Sequence, residues 1–220
     1  MKKRIAVFAR RPEPGRVKTR LSPALPADLA CQLYAAMLDD TFETVRQATA
    51  DSRTVFWADV PDTNRSPEGF YWHAQKGAEL GARLADAFDT VLVDEAHAIA
   101  IGSDCPGLSA SMLERALSAL ERADLVLGPA TDGGYWLIGL RRAAPSLFID
   151  MKWSTETVFS QTLARAAEAG LSVETLPLLD DLDTPADLAR LVSAVARGEL
   201  AAAGPHLRAA LQSMKLLPAL

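Results

Sequence analysis

Cysteine is nearly absent from this sequence. Its 220 residues hold two, Cys31 and Cys105, with no CxxC pair and only three histidines. That excludes a disulfide scaffold and leaves no ligand set for a structural zinc. A chain of this length buries enough core to need neither, and unpaired cysteines fit a reducing compartment. Long apolar runs are also missing, since nothing approaches the ~20 residues of a membrane-spanning helix. The basic start Met1-Lys2-Lys3-Arg4 precedes only Ile5 to Ala9 before Arg10 and Arg11. A secretory signal core needs about 7–15 apolar residues, so the expectation is a cytoplasmic protein without a membrane span.

A broad basic face is lacking as well. Net charge is −5, but residues 1–20 carry eight Lys or Arg and one acid, leaving the remainder at −12. An acidic body with one basic loop does not fit a nucleic-acid binder. It fits a local anion site, or a basic N-terminus that is simply solvated.

What is present is an ordinary globular composition, 49% hydrophobic and 23% charged. Short apolar strands are expected at Arg4–Ala9, Arg53–Ala58, Phe70–Gln75, Ala98–Gly102, Asp124–Leu127, Tyr135–Leu140 and Leu171–Leu176. Between them, periodic stretches predict helices over Ala27–Ala48, Leu80–Val93 and Ser154–Ala169. In the first, Leu29, Leu33, Met37 and Thr41 recur every four residues. Ser111 and Glu114 suggest a capping box for a further helix. Thr184-Pro185-Ala186-Asp187 places an N-cap, a proline at N1 and an acid at N3. Prolines at Pro23 and Pro26 delay the first helix, and Pro61–Gly69 reads as a surface loop. Strands alternating with helices imply an α/β fold, a three-layer α/β/α sandwich with a mainly parallel mixed sheet. No repeat or linker interrupts it. One domain is expected over residues 1–220, with a core of about 4–196 and a helical tail of about 204–220.

In open α/β sheets, ligands bind beyond the carboxyl ends of the strands. Four unusual segments fall there. Arg10 to Arg20 is rich in Lys and Arg around Gly15, a composition that neutralises phosphate, yet it is neither a Walker A loop nor a GxGxxG fingerprint. Gly102-Ser103-Asp104-Cys105-Pro106 ends an apolar strand with a carboxylate. Asp104 could hold Mg²⁺ or Mn²⁺, or cap the turn before Pro106. Cys105 has no histidine placed to activate it and reads as a small buried residue. Thr131-Asp132-Gly133-Gly134-Tyr135-Trp136 describes a sharp turn over a ligand or a tight hairpin. Asp180-Asp181-Leu182-Asp183 clusters carboxylates for a cation or for helix capping. It is not a DxDxT phosphatase motif, because Pro185 stands where Thr or Val is needed.

The segment Phe8–Leu21 resembles the opening of a bacterial glycosyltransferase family formerly of unknown function. That family lies in the GT-A, or nucleotide-diphospho-sugar transferase, superfamily. Gly102–Pro106, Pro129–Leu140, Trp153-Ser154-Thr155 and Asp181–Leu188 match it in the same order, so the resemblance spans roughly residues 4–190. The superfamily includes molybdopterin guanylyltransferase-like enzymes, whose first loop holds nucleotide phosphates. The resemblance implies a nucleotide-binding set of Ala9, Arg10, Gly15, Lys18, Arg20 and Ser103. It implies Asp104 and Asp183 as ligands of Mg²⁺ or Mn²⁺, and Asp132 and Lys18 as the catalytic pair. The sequence departs from the family pattern in three places. Ser103-Asp104-Cys105 supplies one carboxylate where DxD is common. Arg10 replaces a common lysine. Gly77–Arg83 lacks the Asp usual before Leu-Gly.

The implied activity is glycosyl transfer from a nucleotide-diphospho-sugar. Nucleotidyl transfer from a nucleoside triphosphate to a phosphorylated acceptor is the alternative. A non-catalytic nucleotide-binding regulator is the third reading, disfavoured by carboxylates at several strand ends. The expected partner is a nucleotide-activated small molecule; oligomeric state stays open.

Overall fold

The computed structural model describes residues 1–22, 24–58, 60–62 and 64–217. Pro23, Thr63 of the expected loop and the last three residues of the expected tail lie outside them. Seven strands form one sheet: β1 Lys3–Ala9, β2 Ser52–Trp57, β3 Tyr71–Ala74, β4 His97–Ile101, β5 Leu125–Pro129, β6 Tyr135–Leu140 and β7 Val173–Thr175. Six α-helices accompany them among the described residues: α1 Ala27–Gln47, α2 Leu80–Val91, α3 Ala110–Ala119, α4 Val158–Glu168, α5 Pro185–Ala196 and α6 Pro205–Ser213. Strand order is β3-β2-β1-β4-β6-β5-β7. Only β6 runs against its neighbours, pairing antiparallel with β4 and β5. The expected mixed, mainly parallel sheet is what forms.

The central strands are apolar on both faces because both are covered. Ile5, Val7, Ile99 and Leu137 face α1 and α3, meeting Tyr34, Leu38, Leu113 and Leu117. The alternate residues Ala6, Ala98, Ala100 and Ile138 face the other layer, meeting Leu84 and Phe88 of α2 and Ala166 of α4. Helix α1 carries two apolar stripes. Tyr34, Leu38, Phe42 and Val45 pack on the sheet. The stripe of Leu33 and Met37, visible in the sequence as a four-residue repeat, faces away from it, toward Leu188 and Leu191 of α5 and Leu207 and Leu211 of α6.

Helix α6 is fastened to α1 by a buried carboxylate. Asp40 accepts hydrogen bonds from the backbone N–H groups of His206 and Leu207 at 2.9 and 2.8 Å. These are two of the unpaired donors of the first turn of α6. A Cβ on Gly204 would lie 2.2 Å from the Asp40 carboxyl carbon, so the close approach depends on glycine there.

Three expectations depart most from the structure. The Ser111–Glu114 capping box does not form: α3 begins at Ala110 after Ser109, without a side-chain cap. Glu114 instead accepts from the backbone N–H and hydroxyl of Thr49, joining α3 to the segment after α1. Helix α4 starts at Val158 rather than Ser154, because Ser154 takes a left-handed φ of 60°. The last strand shrinks to three residues. The box at Thr184 and Asp187 forms reciprocally, as its sequence requires.

His97 opens β4 fully inside the protein, and its Nδ1 has no hydrogen-bond partner among the described residues. Burial, with Arg141 adding repulsion, pushes its pKa below the ordinary value. The unfolded chain therefore takes up a proton that the fold resists. Stability is expected to fall as pH drops from about 6.5, by at most about 1.4 kcal/mol per pH unit from this group. Melting curves from pH 8 to 5 should show a shallower acid loss in His97→Leu; an unchanged slope would remove His97 from the account.

Candidate functional site

The strand order places the site. β2 lies on one side of β1 and β4 on the other, so the loops after β1 and β4 diverge and leave a crevice at their carboxyl ends. The β1 loop is shaped by residues that alternate between core and crevice. Val17 and Leu21 are buried, and a short 3-10 turn over Thr19–Leu21 closes the loop. Between them Lys18 adopts a left-handed φ of 49°, which turns its side chain inward. That side chain is only 4% exposed, and its ammonium donates to Asp104 Oδ1. It also lies 3.9 Å from Asp183 Oδ1. Arg20 pairs with the second oxygen, Asp183 Oδ2, at 2.7 Å.

The four segments singled out in the sequence converge here. The Leu182 N–H donates to the Asp104 carbonyl at 2.9 Å, fastening the acidic segment to the β4 loop. The Thr131 hydroxyl donates to Asp181 Oδ1 at 2.7 Å, adding the β5–β6 loop. Together they border a cavity of about 840 Å³. Ala9, Arg10, Lys18, Arg20, Ser103, Asp104, Asp132 and Asp183 all line it. Gly15 does not; it stands at a left-handed turn, φ 76°, with open space around it.

Three residues of these loops serve the fold itself. Asp132 Oδ1 accepts the Gly134 N–H at 2.8 Å inside a hairpin joining β5 to β6, so its structural part is a turn aspartate at the cavity wall. Gly133 is needed for the protein's own backbone: a Cβ there would lie 2.3 Å from the Glu156 carbonyl oxygen. Cys105 packs against the core, and burial pushes its thiol pKa well up, so it is no thiolate.

Tyr34 gave no signal in the sequence beyond its place on an apolar helix face. Its hydroxyl accepts the Arg10 N–H at 2.8 Å and stands 3.1 Å from Ser103 Oγ. It thereby joins the β1 and β4 loops beneath the crevice. Burial is the main cause of a pKa pushed up to about 12, which keeps the phenol neutral. Gln75, Glu79 and Arg83 also line the cavity; Gln75 was not singled out by sequence, and Glu79 and Arg83 lie in the segment noted only for its departure from the family pattern.

Residues 33–155 match the model of a family described as "Uncharacterized protein conserved in bacteria (DUF2064)". The chain belongs to the DUF2064 family. The match begins after the basic loop, which is therefore supported by structure rather than by the family model. No curated protein sequence matches significantly. Among solved structures, a "putative nucleotide-diphospho-sugar transferase" of Desulfovibrio desulfuricans G20 is 28% identical. It superposes with a TM-score of 0.87 over 97% of this chain and 95% of the other. A CMP-2-keto-3-deoxy-manno-octonic acid synthetase, solved with CTP, is 14% identical with a TM-score of 0.60 over 90% of this chain and all of the other. Rv0371c of Mycobacterium tuberculosis H37Rv, solved with manganese, is 16% identical with a TM-score of 0.54 over 86% and 97% of the two chains. At those two identities the likeness is one of fold. The DUF2064 chain thus has the nucleotide-diphospho-sugar transferase fold, as the ordered motifs implied. No described helix is long and apolar enough to cross a membrane.

Proposed function

We propose that this chain is a metal-assisted transferase that moves a sugar from a nucleotide-diphospho-sugar to an acceptor. One observation carries the reading. Lys18, Arg20, Asp104 and Asp183 meet at the strand ends of this fold, beside a cavity of about 840 Å³. The Desulfovibrio relative's description as a nucleotide-diphospho-sugar transferase supports the same class.

Asp104 and Asp183 are hard oxygen donors, and a cation already stands between them, the Lys18 ammonium. The pair therefore fits Mg²⁺ or Mn²⁺, which usually take one or two carboxylates and leave the remaining positions to phosphate and water. Among the described residues no group of three or more His, Cys, Asp or Glu forms a closed cage. When bound, the metal would neutralise charge growing on the leaving diphosphate. Lys18 and Arg20 would donate charge-assisted hydrogen bonds to the same oxygens. Ser103 and the Arg10 backbone, both held by Tyr34, would fix the nucleotide's entry. Asp132 Oδ2, the oxygen not bonded to Gly134, would receive or orient the acceptor's proton.

Nucleotidyl transfer from a triphosphate is the second reading. It is favoured by the pair of cations Lys18 and Arg20, which suits a longer phosphate chain, and by a fold neighbour solved with CTP. Calorimetry with Mn²⁺ and single nucleotides separates the two. Tight binding of a UDP- or GDP-sugar supports glycosyl transfer. Binding of a triphosphate in preference to any sugar nucleotide supports nucleotidyl transfer. No response to either would sink both.

A further inference from the structure

The carboxylates fitted to hold a metal are already spent on the protein's own cations. Asp104 and Asp183 have four oxygens between them. Lys18 faces one oxygen of each, and Arg20 takes a third, Asp183 Oδ2 at 2.7 Å. Three of the four oxygens thus face the protein's own cations, and the fourth is Asp104 Oδ2. The Lys18 ammonium is not free in solvent: its side chain is 4% exposed, on a left-handed residue in a loop anchored by buried Val17 and Leu21.

We infer that Lys18 is a resident counter-cation that occupies the metal's position, so that divalent metal and nucleotide enter together rather than in turn. The inference rests on the nucleotide reading above for its second half only. The charge balance supplies the reason. Two basic and two acidic side chains make the cluster neutral as it stands. A divalent ion arriving alone would have to displace one cation and crowd against another. A diphosphate arriving alone would meet Lys18 and Arg20 already paired, with two carboxylates behind them. When both arrive, phosphate oxygens draw Lys18 and Arg20 outward and the freed carboxylates take the metal. Charge is then matched throughout. Lys18 thereby acts as a positioning residue that couples two ligands, and by linkage the coupling factor is the same from either side.

The test measures Mn²⁺ binding to the full chain by electron paramagnetic resonance, without nucleotide and then with ADP, CDP, GDP or UDP added singly. The parent is expected to bind free Mn²⁺ weakly and to gain affinity sharply with the preferred diphosphate. Lys18→Met should bind Mn²⁺ without nucleotide about tenfold or more tighter than the parent. Its gain on adding diphosphate should shrink correspondingly. Lys18→Gly, which suits the left-handed backbone, serves as the second variant should the methionine disturb folding, and both are checked by thermal melting. Nucleotide-free Mn²⁺ affinity within twofold of the parent in a folded variant would overturn the inference while leaving the nucleotide reading intact. Tighter Mn²⁺ in the variant with no diphosphate effect in any form would uphold the lysine–metal exchange and overturn the nucleotide reading instead.

Discussion

Asp104→Asn is expected to bind Mn²⁺ with its preferred nucleotide about 100-fold more weakly than the parent, the equivalent of about 2.7 kcal/mol. The carboxylate is the one candidate metal ligand on the β4 loop, and asparagine offers a neutral oxygen in its place. Folding should survive. Asp104 is 55% exposed on its side chain, so the ion pair it makes with Lys18 is partly screened by water. The amide oxygen still accepts from the Lys18 ammonium. The melting temperature should drop by only a few degrees, since about 1 kcal/mol corresponds to roughly 2–4 °C in a chain of this size. Calorimetry and melting are measured on the same preparation. If Asp104 only caps the turn before Pro106, the two readouts reverse: a lower melting point with unchanged metal–nucleotide affinity.

The largest stability loss is expected not at the metal pair but at Gly133. Gly133→Ala must hold a φ of +85° and place a methyl 2.3 Å from the Glu156 carbonyl oxygen and 2.5 Å from its Cα. Backbone strain and overpacking together should cost about 3–5 kcal/mol. That lowers the melting temperature by roughly 6–20 °C. Gly15→Ala is the matched comparison. It carries a similar φ of +76°, yet among the described residues nothing lies within 4 Å of the new methyl. Only the backbone cost of about 1–2 kcal/mol remains there. Equal melting losses at the two glycines would show that the Glu156 contact yields. In that case Gly133 matters for its φ alone.

These two loops mark how far the sequence could be read. The strands and most helices were legible because short apolar runs mark strands buried on both faces and a spacing near four marks helices, between Gly and Pro punctuation. The convergence of four loops was legible too, since each sits at a strand's carboxyl end, where such folds gather ligands. What each carboxylate does was less so. Asp132-Gly133 is a turn signal and a ligand-loop signal at once, and only the Gly134 N–H and the Glu156 backbone show the turn. The Ser111–Glu114 pattern was a false cap, because Glu114 finds Thr49 across 65 residues. Tyr34 was hidden for a related reason: on a helix face it looks like core, and its hydroxyl partners stand 24 and 69 positions away. Local periodicity carries no information about such pairings.

One of these distant pairings also bears on how the chain acquires its fold. Asp40 and His206 are 166 positions apart. At synthesis rates of roughly 5–20 residues per second, α1 emerges about 8–33 s before the helix that closes over its outer stripe is made. Through that interval Leu33 and Met37 have no α6 to cover them, and Asp40 has no amide donors from it. The outer face of α1 is therefore completed only when Pro205–Ser213 arrives, so this part of the core closes last in synthesis.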